Sequence, residues 1–338
     1  MNPQNLVESM MRPECYPHRP ENVELIQTHI SFIFITGALV YKVKKAVDFG
    51  FLDFTTLEKR KHYCEQEVVL NRRFAPDVYI DVVGITEDKG KNLRIGGEGS
   101  VIEYAVKMKK IPEEKMLYRL MKADKITESD VMRVGRHLAR VYGNIPSDEK
   151  ARAFGTLDTI ATNVIENFDQ TRKYTGGPVS GEAFDAIESW SRSFMDGKGA
   201  LFDTRIEQGH IKDCHGDLHL QHICIEDDVV SVFDCIEFNE RFRFGDVASD
   251  VAFLSMDFDF NGKSKLGDIF VDIYIDESGD ATLRDVLRFY KVYRAMVRAK
   301  VTSFMLDDGG LDDLSRREAF QRAKRYYDLA YGYVTHED

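Results

Sequence analysis

Cysteine is scarce in this chain of 338 residues. The five cysteines lie at positions 15, 64, 214, 224 and 235. Their number is odd and their spacing matches no disulfide framework of a secreted protein. We therefore expect reduced thiols and a cytoplasmic location.

Long hydrophobic runs are also absent. The most apolar run extends from Ile30 to Tyr41, and Ser31, Thr36 and Gly37 interrupt it. It falls well short of the roughly 20 residues that a membrane-spanning helix needs. The first twenty residues show no basic start followed by an apolar block, as a secretory signal would. The sequence thus predicts neither a membrane span nor a secretory signal.

Positive charge is in deficit, since 46 lysines and arginines face 57 acidic residues, for a net charge of -11. Phosphate backbones and anionic membranes select basic surfaces, so this balance argues against a general nucleic-acid or membrane binder. A hydrophobic content of 43% is ordinary for a globular protein. The length suffices for one two-lobed unit or two domains. No repeat or low-complexity tract is present, and nothing in the sequence predicts an obligate protein partner.

Potential catalytic and ligand groups concentrate between Asp213 and Asp250, far more densely than a structural segment requires. They are His215, Gly216, Asp217, His219, His222, Asp234, Glu237, Asp246 and Asp250.

The middle of this stretch has the pattern of a β-hairpin. Ile223 and Ile225 alternate with polar neighbours, a turn signal follows at 227–228, and residues 229–233 are β-branched and aromatic. A turn centred there places position 222 opposite 233, which brings His222 beside Asp234. Asp217 lies on the loop that leads into the first strand. We expect the open end to gather Asp217, His222 and Asp234, which suits a hydroxyl nucleophile and hard cations at a phosphate.

The order of these motifs resembles the catalytic core of the aminoglycoside phosphotransferase-like kinases, especially a bacterial branch of that family. The motifs are His215-Gly216-Asp217-Leu218-His219, a ligand-type residue at 222, Phe233-Asp234, and Gly245-Asp246-Val247-Ala248-Ser249-Asp250. The resemblance implies an α+β, two-lobed protein-kinase-like fold with a small antiparallel-sheet N-lobe and a mainly helical C-lobe. It also implies an ATP-dependent kinase that transfers the γ-phosphoryl group to a hydroxyl of a small molecule.

The same resemblance implies residue roles. Asp217 would be the catalytic base and Asp234 a ligand of Mg²⁺. Asp250 would brace the catalytic loop, with Asp246 as the alternative.

One position departs from the family pattern, because His222 stands where these kinases usually have asparagine. Imidazole suits manganese, zinc or other transition metals better than magnesium. Three interpretations stay open: His222 binds Mn²⁺, it only hydrogen-bonds Asp217, or it marks a catalytically weak nucleotide-binding protein.

A second interpretation of the same stretch is a zinc-binding module. Its ligands would come from Cys214, His215, His219, His222 and Cys224. These residue types are the usual zinc ligands, but neither a paired CxxC nor an HExxH spacing is present. The kinase interpretation therefore takes precedence.

The residue pattern of the N-terminal region predicts strands over 23–28, 31–35 and 38–47. Lys42 and Lys44 are two residues apart and share one face of the third strand. In the resembling kinases one lysine there reaches the α- and β-phosphates of ATP; we favour Lys42, with Lys44 as a close alternative. No GxGxxG joins the first two strands.

The next segment predicts a helix from the capping box Thr55-x-x-Glu58 to about Phe74. In the resembling kinases a glutamate on this helix pairs with the ATP lysine. Glu67 is our choice for that residue, with Glu65 as the alternative.

Further strands are predicted at 78–86, 92–95 and 101–108, and helices follow. This pattern puts the lobe boundary near residue 110, with a nucleotide-binding lobe over 1–110 and a catalytic and substrate-binding lobe over 111–338.

Residues 283–305 are predicted to form a helix rich in cations and phenols, and in the resembling kinases the C-terminal helices line the acceptor pocket. Tyr293, Arg294 and Arg298 are thus substrate candidates, and a cationic pocket would favour an anionic or polyhydroxylated acceptor. The sequence specifies neither the acceptor, nor ATP over GTP, nor the oligomeric state.

Overall fold

A computed structural model describes residues 3–335, so the outermost ends of the two predicted lobes lie outside the described residues. The chain divides into two compact units. The first comprises Met1–Lys125 and Gln221–Glu240, and the second comprises Ile126–Leu220 and Arg241–Asp338. The hairpin region of the dense stretch therefore belongs to the first unit, whereas its flanks belong to the second.

The first unit is built on a six-stranded antiparallel sheet with the strand order β1-β2-β3-β6-β4-β5. Its strands are β1 (Glu24–Gln27), β2 (Ser31–Thr36), β3 (Leu39–Lys44), β4 (Tyr79–Glu87), β5 (Leu93–Ile95) and β6 (Ser100–Lys109). The predicted strands are confirmed, with bounds shifted by up to three residues. Apolar side chains of one face, among them Phe34, Tyr41 and Val43, pack into a buried core. The opposite face of β3 carries Lys42 and Lys44.

Three α-helices and a separate hairpin accompany the sheet in the described part of the first unit. The helices are α1 (Pro3–Met10), α2 (Leu57–Asn71) and α3 (Leu117–Lys122), and the hairpin consists of β8 (Ile223–Glu226) and β9 (Val229–Val232). The predicted start of α2 is wrong by one residue, because the side chain of Thr56 accepts the N–H of Lys59 and forms the N-cap. Thr55 instead donates to the carboxylate of Asp53 through both its N–H and its hydroxyl, which holds it in the preceding turn.

The second unit is mainly helical, with one short antiparallel strand pair. Its helices are α4 (Glu128–Asn144), α5 (Glu149–Ala153), α6 (Leu157–Thr171), α7 (Gly181–Gly197), α8 (Gly199–Glu207), α9 (Glu240–Arg243), α10 (Val247–Phe260), α11 (Ser264–Ser278), α12 (Leu283–Phe304) and α13 (Asp313–Thr335). The first residue of α9 still belongs to the first unit. The strands β7 (Ile211–Asp213) and β10 (Phe244–Asp246) pair with each other. Most of α10 is buried, which fits the high content of apolar residues in its sequence.

Across residues 3–335, no helix combines the length and the apolar character that a membrane crossing requires.

Candidate active site

The hairpin has the register that its alternating sequence predicts. Ile223 pairs with Val232, and the N–H of Phe233 donates to the carbonyl of His222 at 3.0 Å. His222 Nε2 consequently lies 3.7 Å from Asp234 Oδ2. This short distance follows from a side-chain period of two and from the position of the turn.

Asp234 has an unusual backbone conformation, with a φ of 65°. A non-glycine residue in the left-handed region is uncommon and costs free energy unless its surroundings hold it. Here the Asp234 N–H donates to the hydroxyl of Tyr79 at 3.0 Å, and the Cys235 N–H donates to Asn71 Oδ1 at 2.9 Å. Tyr79 of strand β4 and Asn71 of helix α2 therefore hold the backbone at Asp234 in place, and this backbone positions the Asp234 carboxylate.

Lys42 lies between two carboxylates. Its Nζ is 2.8 Å from Glu67 Oε1 and 2.6 Å from Asp234 Oδ1. Burial lowers the pKa of Lys42, but the charges of Asp234 and Glu67 outweigh it and hold that pKa well above its ordinary value. The alternative glutamate, Glu65, lies on the surface and pairs with Lys61 at 3.7 Å.

Lys44 is also paired with Glu67, through the other carboxylate oxygen at 2.6 Å, and additionally with Glu237. The two lysines therefore share Glu67. Burial raises the pKa of Glu67, but Lys42 and Lys44 together bring it below its ordinary value. The sequence interpretation assigns no role to Glu237. Its position three residues after Asp234 was the feature of the sequence that could have linked it to this site.

In the second unit, Asp250 holds the backbone that carries the His-Gly-Asp motif. Its Oδ2 accepts the N–H of His215 at 2.8 Å and the N–H of Gly216 at 3.1 Å. The hydroxyl of Tyr142 donates to the same oxygen at 2.6 Å. Asp250 is fully buried, so these donors replace the water that its charge would otherwise require.

Asp246 has different partners. Its carboxylate is bound by the fully buried guanidinium of Arg205, which also binds Asp280. It also accepts the N–H of Ala248 and caps helix α10. Of the two aspartates considered from the sequence, Asp250 is thus the one that receives the N–H groups of the loop.

Asp217 follows this braced backbone. Its side chain is 35% exposed, and its Oδ2 lies 3.4 Å from His219 Nε2. The N–H of Asp217 donates to His215 Nδ1 at 3.3 Å. A carboxylate that is accessible on a fixed backbone can accept a proton from a bound hydroxyl group.

The three substrate candidates on α12 have different environments. Arg294 is buried and donates to the Gly216 carbonyl at 2.8 Å, to Ser249 Oγ at 2.9 Å and to Asp250 at 3.3 Å. Arg298 lies against Tyr326, with 3.5 Å between Nε and the hydroxyl oxygen. Burial lowers the pKa of Arg298, but its interactions with the Tyr326 hydroxyl and the Asp217 carboxylate raise that pKa above its ordinary value.

A pocket opens in the second unit beside this backbone. It is lined by α6, α12 and the segment from Arg241 to Asp246, and Tyr293 and Arg294 are both in its wall. The cations Arg241 and Arg243 line it as well. The side-chain oxygen of Asn163, which also lines the pocket, is buried and has no hydrogen-bond partner among the described residues.

The residues of the zinc interpretation are divided between the two units. Cys214, His215 and His219 belong to the second unit, and His222 and Cys224 belong to the first. All five cysteines are buried, and residues 3–335 contain no disulfide bond.

Sequence comparison finds relatives that are longer than this chain. No family model matches it. Uncharacterized proteins of Mycobacterium tuberculosis and Mycobacterium bovis are each 30% identical to it over 314 residues. The match covers 93% of this chain and 60% of each relative, so the chain spans about 60% of the length of these curated relatives.

Structure comparison finds kinases that match nearly the whole chain. A choline kinase of Cryptosporidium parvum has a TM-score of 0.58 at 9% identity, covering 96% of this chain and 94% of its own. Amicoumacin kinase hAmiN, solved with AMP-PNP, Ca²⁺ and Ami, has a TM-score of 0.56 at 12% identity, covering 97% and 94%. A structure assigned as an aminoglycoside phosphotransferase of Ralstonia eutropha has a TM-score of 0.55 at 13% identity, covering 93% and 92%.

The chain has a protein-kinase-like fold, which it shares with these kinase structures. This confirms the predicted fold, with an antiparallel-sheet N-terminal region and a mainly helical remainder. Helix α2 follows β3 and carries Glu67, which contacts Lys42 of that strand.

Proposed function

We propose that this protein is an ATP-dependent small-molecule kinase that transfers the γ-phosphoryl group to a hydroxyl of its acceptor. The observation that carries the proposal is the position of Lys42 between Glu67 and Asp234. Phosphoryl transfer needs a cation at the phosphates, a glutamate that holds this cation, and a carboxylate for the metal. All three are joined here by contacts of 2.6–2.8 Å.

Each residue then has a defined task. Lys42, held by Glu67, binds the α- and β-phosphates. Asp217 orients the acceptor hydroxyl and takes its proton, while Asp250 keeps the Asp217 backbone in place. Most of the rate would come from positioning and from charge neutralisation, because the protein itself forms no covalent bond. In this proposal residues 1–110 form the nucleotide-binding lobe, residues 111–338 form the catalytic lobe, and the protein works in the cytoplasm.

The donor set around Asp234 fits a divalent cation. A carboxylate oxygen suits Mg²⁺, and the imidazole of His222, 3.7 Å away, suits Mn²⁺ as well. Asp234 and His222 would hold the ion, which neutralises charge on the β- and γ-phosphates when it is bound. We therefore propose ATP with Mg²⁺, and Mn²⁺ as the alternative metal.

The pocket lined by Tyr293 and Arg294 is our proposed acceptor site. Its arginines, Arg241, Arg243 and Arg294, are each paired with a carboxylate, and Asp246 and Asp250 also line it. The unpaired Asn163 oxygen favours a hydroxyl or amide donor on the acceptor. A polyhydroxylated small molecule meets these conditions best, and an anionic acceptor is the alternative. Arg298 remains a substrate candidate because of its electrostatic interaction with Asp217.

Asp217→Ala tests the proposed reaction. We expect turnover to fall by about 10²-fold or more while nucleotide binding stays within about threefold, because the variant loses the proton acceptor but keeps Lys42 and Asp234. The assay measures ATP consumption with hydroxylated metabolites, aminoglycosides and peptides, in Mg²⁺ and Mn²⁺ separately. The exposed Asp196→Ala in α7 is the matched control. Full activity of Asp217→Ala would refute the assigned role.

His222 keeps a second candidate function open, that of a nucleotide-binding protein with weak catalysis. This function would be favoured if AMP-PNP binds with metal but no acceptor in the screen is phosphorylated. Elemental analysis of the purified protein tests the zinc-binding alternative, which requires about one zinc ion per chain. A protein without stoichiometric zinc would exclude that alternative.

A further inference from the structure

The structure contains a second buried lysine and a second buried glutamate that the proposed reaction does not use. We infer that Lys44 and Glu237 are positioning residues, which hold Glu67 and the Asp234 segment in place without touching the nucleotide. This inference rests on the proposed function for its role, although the contacts themselves do not depend on it.

The five charged groups alternate in sign along one continuous chain of contacts. The order is Asp234, Lys42, Glu67, Lys44 and Glu237. Each lysine contacts one oxygen of Glu67, and each contacts a different acid of the 234–237 segment. Glu67 is therefore held from both sides, and the segment is attached at both of its ends.

Exposure to solvent is concentrated at the Asp234 end of this chain of contacts. The side chain of Asp234 is 45% exposed and that of Lys42 is 12% exposed, whereas Lys44 is 1% exposed and Glu237 is 5% exposed. Asp234 and Lys42, here called the outer pair, can reach a ligand from solvent. Lys44 and Glu237, the inner pair, are enclosed, and the ring of Phe54 lies 5.0 Å from the Lys44 ammonium.

Lys44 can compensate the charge of Glu67 when Lys42 is engaged by a ligand. A bound nucleotide and metal would draw Lys42 towards phosphate oxygens and Asp234 towards the metal, so Glu67 would lose part of its counter-charge. A buried carboxylate without a partner is costly and would protonate or move. Lys44 remains beside Glu67 in both situations and keeps it ionised and oriented.

Glu237 fixes the far end of the segment that carries Asp234. The near end is held by the Asp234 N–H on Tyr79, and the middle is held by the Cys235 N–H on Asn71. The bond from Lys44 to Glu237 adds a third attachment from β3. Outer-shell partners of this kind orient a metal ligand, and their loss costs about 10- to 100-fold in metal affinity or activity.

The test uses Lys44→Met, Glu237→Gln and the double variant Lys44→Met with Glu237→Leu. Lys61→Met, an exposed lysine on α2, is the matched control. We expect both single variants to weaken binding of the AMP-PNP and Mn²⁺ complex by about 10-fold or more. The double variant regains thermal stability, because apolar replacements of a buried ion pair are often neutral, but it does not regain affinity.

Lys44→Arg separates a positioning role from packing, since it restores the charge and should recover most of the affinity. The inference is overturned if both single variants bind the complex as the wild type does, or if the double variant recovers wild-type affinity. In the second case the pair would be structural only.

Amide hydrogen exchange tests the positioning role of Lys44 and Glu237 without relying on the proposed function. We expect Lys44→Met and Glu237→Gln to raise exchange at residues 233–237 without any nucleotide, whereas Lys61→Met does not. Unchanged exchange overturns the inference. If the wild type binds no nucleotide but exchange rises, the kinase proposal fails and the attachment of this segment by Lys44 and Glu237 stands.

Discussion

Lys300 shows how burial changes a single side chain. It lies on α12, and its Nζ donates to Asn167 Oδ1 at 2.5 Å. Burial lowers its pKa from the ordinary 10.5 to about 8, and the charge of Glu166 offsets only part of this. A lysine ammonium can only donate hydrogen bonds, so this bond fixes the orientation of the Asn167 amide with its oxygen towards Lys300. The amide nitrogen is then buried without a partner among the described residues.

The lowered pKa of Lys300 predicts how stability depends on pH. Between pH about 8 and about 10.5 the unfolded chain holds a proton on Lys300 that the folded protein has released. The free energy of unfolding should therefore rise with pH through this window, by up to about 3 kcal/mol. Lys300→Met should remove this rise, as measured by urea unfolding at pH 7.5, 9 and 10.5.

Lys198→Met, at an exposed position, is the control for this measurement, because other lysines titrate in the same range. If Lys300→Met and Lys198→Met show the same pH dependence as the wild type, Lys300 is not the titrating group.

Helices α4 and α11 approach each other closely at Gly135. A Cβ added there would lie 3.0 Å from Ile273 Cγ2 and 3.2 Å from the carbonyl oxygen of Phe270. These distances are shorter than ordinary van der Waals contacts. A second glycine of α4, Gly143, is exposed, and a Cβ there would meet nothing within 4 Å.

The two glycines of α4 should respond to alanine with opposite signs. Gly135→Ala should lower the free energy of unfolding by about 1–3 kcal/mol, because the added methyl group forces the helices apart. Gly143→Ala should raise it by about 0.5–1 kcal/mol, because alanine has the higher helix propensity. Chemical denaturation of both variants measures the difference, and equal effects would contradict the close packing.

Local elements of this protein could be predicted well from the sequence. The six strands of the first sheet and the register at His222 follow from side-chain period and turn residues, which act over a few positions. The first residue of α2 was misplaced because Thr55 and Thr56 are equally good caps in isolation. The contact of Asp53 with Thr55 is what distinguishes them.

The complete chain should be stabilised by its proposed ligands. A ligand that binds only the folded state adds about 2.7 kcal/mol at a concentration of 100 times its Kd. AMP-PNP with Mg²⁺ or Mn²⁺ should therefore raise the unfolding temperature, and EDTA should remove most of the rise. Lys42→Met should abolish it, because that variant lacks the cation at the phosphates. An equal rise in Lys42→Met, measured by thermal unfolding, would contradict the assignment of Lys42.

The amino-acid pattern alone was enough to locate the dense stretch, to pair His222 with Asp234 and to place two lysines on one strand face. It could not show that one glutamate serves both lysines, that Glu237 completes the set, or that Asp250 rather than Asp246 receives the loop N–H groups. Period and turn chemistry act between neighbouring residues, whereas Lys44 and Glu237 are 193 positions apart. Contacts over such separations depend on the path of the whole backbone, because burial of apolar side chains elsewhere decides which polar groups meet.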